Sequence, residues 1–194
     1  MDQLPKDNVL AVSLAVQEQR NLVQDAITEL EQAKTDQKSS QIPDDEEDED
    51  FEADDKWTAN ELSAVAPALG LLKTSQALLK RIEMSCRKNG STFASETSCH
   101  ELDDILDHCE EISPLADDLA MSLYPPLSVE EVDKNGAKLS NKCLEIINVQ
   151  LRQKHFVTPE ELDDWGAFLL KALTHNSDKL KAALVVCGLG NVAI

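Results

Sequence analysis

Four times along this 194-residue chain a hydroxyl residue is followed three positions later by glutamate, just ahead of an apolar-periodic run: Thr58…Glu61, Ser98…Glu101, Ser128…Glu131 and Thr158…Glu161. This is the capping box. The hydroxyl accepts from the backbone amide three residues on, and the carboxylate reaches back to the cap's own amide. A single match says little. Four, each opening an amphipathic stretch, commit most of the chain to helices. Pro159, at a first helical position, reinforces the last of them.

The apolar spacing then predicts five helices. The first, 8–34, takes Asp7 as its cap and Leu10, Leu14, Leu22, Val23, Ala26, Ile27, Leu30 and Ala33 as its stripe. The second, 59–88, carries Val65, Leu72, Leu79 and Cys86 at sevenfold spacing. Pro67 should kink it or delay its start, and Asn89-Gly90 should end it. A zipper and a packed core both fit that spacing; Ser75 and Gln76 interrupt the seam and favour the core. The third spans 101–126. Pro125-Pro126 should stop it, and Ser113-Pro114 should kink or restart it with Ser113 as the new cap.

The fourth helix, 129–153, uses Val129, Val132, Leu139, Cys143, Ile146, Ile147 and Leu151, with Asn135-Gly136 weakening its first turns. The fifth, 159–187, uses Leu162, Trp165, Phe168, Leu169, Leu173, Leu180 and Leu184, and Gly188 and Gly190 should close it. Aromatic residues make up only 4% of the chain, which suits helices better than a sheet. The expected fold is an all-α antiparallel bundle of about five helices. Its parts are an N-terminal helix (1–35), an acidic disordered linker (36–57), the bundle (58–187) and an apolar tail (188–194). Short loops favour antiparallel neighbours. The second and third helices should therefore form a hairpin, with Lys73, Lys80, Arg81, Arg87 and Lys88 near the acidic third helix.

The net charge of −19 lies in two blocks. Residues 44–55 hold ten acids and residues 89–133 hold twelve, with no Lys or Arg in either. The first block cannot bury enough apolar surface to offset the entropy of ordering, and Phe51 is its one large aromatic residue. The second lies mostly on the third helix. Leu102, Ile105, Leu106, Cys109, Ile112, Ala116, Leu119 and Leu123 make the apolar stripe there. Asp103, Asp104, Asp107, Glu110, Glu111, Asp117 and Asp118 make an opposite acidic face, the candidate partner-binding surface. Such a surface repels a phosphate backbone, so direct nucleic-acid binding is not expected, and it attracts basic protein surfaces.

Other chemistry finds little support. Five cysteines, odd in number and without C-x-x-C spacing, read as reduced intracellular thiols. Cys99-His100 and His108-Cys109 are separated by roughly 12 Å along a helix, unlike the close ligand pairs of zinc sites. The run 44–55 lacks the glycine of a calcium loop, and no phosphate-loop, nucleophile-elbow or H-E-x-x-H motif occurs. No catalytic residue, metal or cofactor is expected. No secretory signal is visible, and no apolar run is read as a membrane span. Ser113, ahead of Pro114, is a candidate phosphorylation site as well as a cap.

Three stretches carry a family likeness: ELDDILDHCEEISPLADDLAMSLYPPL (101–127), ALGLLKTSQALLKRIEM (68–84) and LPKDNVLAVSLAV (4–16). With the order helix, acidic linker, Trp57, helical bundle, the chain resembles the cyclin-D-binding protein family (GCIP or Maid). The resemblance implies a cytoplasmic and nuclear, non-enzymatic regulator. Its partners would be a D-type cyclin, a Grb-related signalling adaptor and helix-loop-helix factors. It would restrain cell-cycle progression and retinoblastoma-controlled or helix-loop-helix-dependent transcription. No basic cluster precedes the second helix, so such a protein would sequester partners and not hold DNA. The alternative is a structural helical-bundle adaptor module of cytoskeletal type. Two departures stand out. The family's further N-terminal helical half is absent, which could leave Leu10, Leu14 and Leu22 exposed. The ending 185–194 is also apolar where the family's is charged.

Overall fold

The computed structural model describes residues 4–39, 56–89, 96–151 and 159–190. Its helices are α1 (Leu4–Ser39), α2 (Ala59–Asn89), α3 (Glu96–Glu110), α4 (Ile112–Ser122), α5 (Val129–Glu145, continued by a π-helical turn over Ile146–Leu151) and α6 (Pro159–Gly190). The fold is the expected all-α bundle. Most of the acidic linker (40–55, with Phe51), the 90–95 connection, Thr158 and residues 191–194 lie outside the described residues.

One capping box forms in full, and a second forms its hydroxyl half. Thr58 accepts from the Glu61 amide at 3.3 Å and Glu61 accepts from the Thr58 amide at 2.7 Å. Ser128 accepts from the Glu131 amide at 3.4 Å. Ser98 is no cap, because α3 already begins at Glu96. Asp7 lies inside α1, which starts at Leu4; Pro5 suits a first turn, whose amides need no partner. The same helix runs four residues past 35, to Ser39.

Packing overrides several local signals. Helix α2 passes through a buried Pro67 without a delayed start. Burial along its length outweighs a defect that costs about 3 kcal/mol in isolation. By length and composition α2 could cross a membrane, contrary to the sequence reading, but most of that window is buried inside the bundle. Gly188 does not stop α6, which runs on to Gly190. Instead of ordinary α-helix to 153, the wider turn after Glu145 keeps Ile146, Ile147 and Leu151 all buried.

The helices close a ring: α1 packs on α2, α2 on α6, α6 on α5, α5 on α4, and α4 back on α1. Cross-links set the directions. Arg87 Nε donates to Ser13 Oγ and Lys73 Nζ to Glu31 Oε1, so α1 and α2 are antiparallel. Cys187 Sγ donates to the Asn60 carbonyl, so α2 and α6 are antiparallel; Ser177 bonds Ser140 while Gly136 lies against Leu180 and Gly166 near Ile147, so α5 and α6 are antiparallel too. Asn135 Nδ2 donates to the Asp118 carbonyl, while Lys142 reaches Glu111, so α4 and α5 are antiparallel too. The seam between α1 and α4 differs. Ser113 meets Gln19 near the start of α4, and Tyr124, beyond its end, feels the charge of Glu29, so these two helices run parallel.

The expected hairpin of α2 and α3 is not formed. The extended packing of α2 is with α1 and α6, and α3 packs mainly on α1. Lys73 and Arg87 accordingly pair with side chains of α1 and α2, not with the acidic α3. The heptad positions Val65, Leu72, Leu79 and Cys86 are wholly buried, as the core reading required.

Gly136 supports the α5–α6 contact. A Cβ there would stand 2.7 Å from Leu180 Cδ2, and Leu180 is itself buried. Gly136→Ala gains up to about 1 kcal/mol of helix propensity but overpacks the seam at about 1–3 kcal/mol. We expect a net loss of about 1 kcal/mol in urea unfolding.

Two stripe assignments are corrected. Leu10, Leu14 and Leu22 are 56%, 53% and 42% exposed; α1 buries Val23, Ala26, Ile27 and Leu30 as expected, with Val9, Val12 and Val16 in place of the three leucines. Phe168 is 69% exposed because it lies off the line of Leu162, Trp165, Leu169 and Leu173.

Candidate partner-binding surfaces

The apolar stripe beneath the acidic residues is buried as read: Leu102, Ile105, Cys109, Ile112, Ala116, Leu119 and Leu123 all face the core, and Leu106 is partly buried. The acids above it are all exposed but do not share one face. The helix is interrupted at Glu111, and the carboxylates along it meet different neighbours.

On α3, Asp103, Asp107 and Glu110 form one outward row at helical spacing, with Asp104 beside it. Glu111 belongs to another group. Its carboxylate pairs with Lys142 Nζ at 2.8 Å, which also meets Glu145 at 3.1 Å and stands 3.3 Å from His108 Nδ1. Burial would lower the Lys142 pKa, but the hydrogen bonds and charges of Glu111 and Glu145 outweigh it and raise the pKa. This cluster ties the α3–α4 break to α5.

Asp117 belongs to a third group, on the α1 side of α4. Partial burial pushes its carboxyl pKa up, and the charges of Glu29 and Asp118 push it further. Ser113 also faces α1. It is 4% exposed, and its hydroxyl donates to Gln19 Oε1 at 2.6 Å. Glu111, not Ser113, holds the N-cap position of α4. Pro114 falls in the first turn, where its missing amide costs nothing. A kinase reaches Ser113 only if α4 leaves α1.

Between α1 and α4 lies a groove of about 410 Å³ that the sequence reading missed. Its α1 wall is Leu22, Asp25, Ala26 and Glu29, and its α4 wall is Asp117, Ala120, Met121 and Tyr124. Both sets follow the i, i+3, i+4, i+7 spacing of one helical face. That shared spacing was the available signal. It was hidden because Leu22 was assigned to the core and Met121 to no face.

The thiols of Cys86, Cys109 and Cys143 are buried. Desolvation raises all three, Cys86 and Cys143 to about 12. Cys109 is raised by burial first and then by the other two thiols nearby. They stay protonated at neutral pH and act as small apolar side chains. Among the described residues, no three or more His, Cys, Asp or Glu side chains converge to hold a metal ion.

Comparison with known proteins adds the following. Residues 43–148 match the family described as Grap2 and cyclin-D-interacting, C-terminal. A cyclin-D1-binding protein 1 homolog of Xenopus laevis is 38% identical over 183 residues, covering 93% of this chain and 54% of that protein. Human cyclin-D1-binding protein 1 is 35% identical over 199 residues, covering 93% and 53%. The Danio rerio homolog is 32% identical over 188 residues, covering 94% and 54%. The chain spans about half the length of the curated relatives it matches.

Proposed function

This chain belongs to the family of Grap2- and cyclin-D-interacting proteins, and from that premise we propose that it is a non-catalytic interaction protein that binds a D-type cyclin. The observation that carries this reading is the alignment of more than nine-tenths of the chain with proteins named for binding cyclin D1. The finer parts extend the same reading. By binding, the protein restrains cell-cycle progression and retinoblastoma-controlled transcription, in cytoplasm and nucleus, and a Grb-related adaptor is a second partner. Helix-loop-helix factors are a third partner class. For them α2 would have to leave α1 and α6, since its apolar faces are taken up by those helices.

The row Asp103, Asp107 and Glu110 is the surface that best supports docking. It is exposed, uniformly negative, and carried on a helix fixed from beneath by Leu102, Ile105 and Cys109. Exposed charges of this kind steer association and set its salt dependence more than its final affinity. Reversing all three residues to Lys should therefore slow association with a D-type cyclin about tenfold or more and flatten the salt dependence of the rate. Circular dichroism should be unchanged. Association at the wild-type rate with the wild-type salt slope would remove the row from the interface. Absence of binding by the unmodified chain would refute the cyclin reading itself.

A further inference from the structure

We propose that the seam between α1 and α4 is a docking groove for a basic amphipathic segment of a partner protein, which sets one large apolar side chain on the floor and Lys or Arg against the rim. Three observations carry this. The groove is apolar and open: Ala26 and Ala120 are buried at its base, and Met121 and Leu22 beside them are 72% and 42% exposed. Large apolar groups left beside a groove and rimmed by polar ones mark interaction sites.

The rim is acidic on both walls. Asp25 and Glu29 face it from α1 and Asp117 from α4, with no Lys or Arg in the lining. Among the described residues none of these three carboxylates has an ion-pair partner, whereas Glu31, Glu83, Glu111 and Glu145 do. Asp25 and Glu29 are also like charges one turn apart, an arrangement that is unfavourable by itself. A cation in the groove relieves that repulsion and the repulsion from Asp117.

The third observation is topological. This is the parallel seam of the ring, so the dipoles of α1 and α4 point the same way and give it no mutual attraction. Its two walls present matched i, i+3, i+4, i+7 faces, the geometry that receives a third helix. A basic, apolar-anchored segment complements both the charge and the shape. The groove is distinct from the α3 row, and the proposal stands whichever partner occupies that row.

The chain's three methionines provide the test. With methyl-labelled methionine, Met121 reports on the groove, while Met84, 52% exposed on α2, serves as an internal control. The probe is a synthetic helical peptide of about 18 residues, with leucines at i, i+3, i+4 and i+7 and lysines on both flanks. The Met121 methyl resonance should shift saturably and that of Met84 should not. The same peptide with glutamate for lysine should leave both in place. The combined variant Asp25→Asn, Glu29→Gln, Asp117→Asn should bind the lysine peptide about tenfold or more weaker and melt at the same or a higher temperature, since it removes only like-charge repulsion. Met121→Lys, at an exposed position, should lose binding independently.

Equal shifts at both methionines would overturn the proposal, as would undiminished binding by the neutralised variant or equal binding of the two peptides. Concentration-dependent Met121 shifts without peptide would assign the groove to a second copy of the chain and also overturn it. Failure of cyclin binding to respond to the α3 reversal leaves this result untouched, so the two readings fail separately.

Discussion

Replacing Trp57 by alanine should lower the unfolding free energy by about 3–5 kcal/mol, the range for truncating a large buried aromatic residue. Trp57 is 5% exposed although it lies in the connection between α1 and α2. Its ring stacks on Tyr124 with centroids 6.0 Å apart and planes inclined by 28°. The indole Nε1 donates to the carbonyl of Leu123, the residue that ends α4. Its backbone amide donates to Gln37 Oε1 at 2.9 Å, and its carbonyl accepts from Gln37 Nε2 at 2.7 Å. One residue thus joins three elements: its backbone holds the end of α1 at the entry to α2, and its side chain holds the end of α4. Trp57→Phe keeps most of the buried area but strands the Leu123 carbonyl, so it should cost about 1–3 kcal/mol. Urea unfolding with an unchanged m-value checks both. A loss below about 1 kcal/mol for Trp57→Ala would show that the connection is not pinned in this way.

The second large effect is expected at Glu83. Its side chain is 8% exposed and sits between two arginines. Arg20 Nη1 lies 2.7 Å from Oε2 and Arg87 Nη2 2.9 Å from Oε1. The Oε2 atom lacks a well-aligned hydrogen bond, so its contact with Arg20 is chiefly coulombic. Arg87 also donates to the buried Ser13 hydroxyl at 3.0 Å and to Gln17 at 3.1 Å, clamping α2 to α1. Glu83→Ala leaves two like charges facing each other across a closed seam. Breaking a buried pair costs about 3–5 kcal/mol; the partial exposure of both arginines places this case near 3 kcal/mol. Arg20→Met combined with Glu83→Leu should cost less than Glu83→Ala alone, because the two arginines no longer face each other and the half-exposed Arg87 keeps its bonds to Ser13 and Gln17. Additive losses in that cycle would show that Arg20 and Glu83 do not act as a pair.

Much of this architecture was legible in the residues. Thr58 and Ser128 capped where the S-x-x-E pattern put them, and the heptad positions of α2 entered the core. The reading went wrong where a helix offers two apolar faces. Helix α1 carries leucines on one side and valines on the other. Nothing within the helix says that Val9, Val12 and Val16 would be covered while Leu10 and Leu14 would not. The spacing of the acidic residues of 101–126 places them on one face even with the kink expected at Ser113-Pro114. In the fold the neighbours differ: Asp117 feels Glu29 of α1, and Glu111 pairs with Lys142 of α5. The assumption that helices adjacent in sequence must pair put the basic residues of α2 against α3. In the fold Lys73 and Arg87 serve the contact between α1 and α2.

What this chain's sequence determined alone is its helicity, several helix ends, and the resemblance that led to its family. These depend on residues within about one turn of each other, through capping, propensity and the spacing of apolar side chains. Only the tertiary structure decided which helices pair, which face of α1 is buried, and that Asp25, Glu29 and Asp117 gather along an apolar groove. Those outcomes depend on side chains tens of residues apart, such as Glu29 and Asp117. Their proximity follows from closing the ring of helices and leaves no local mark in either segment.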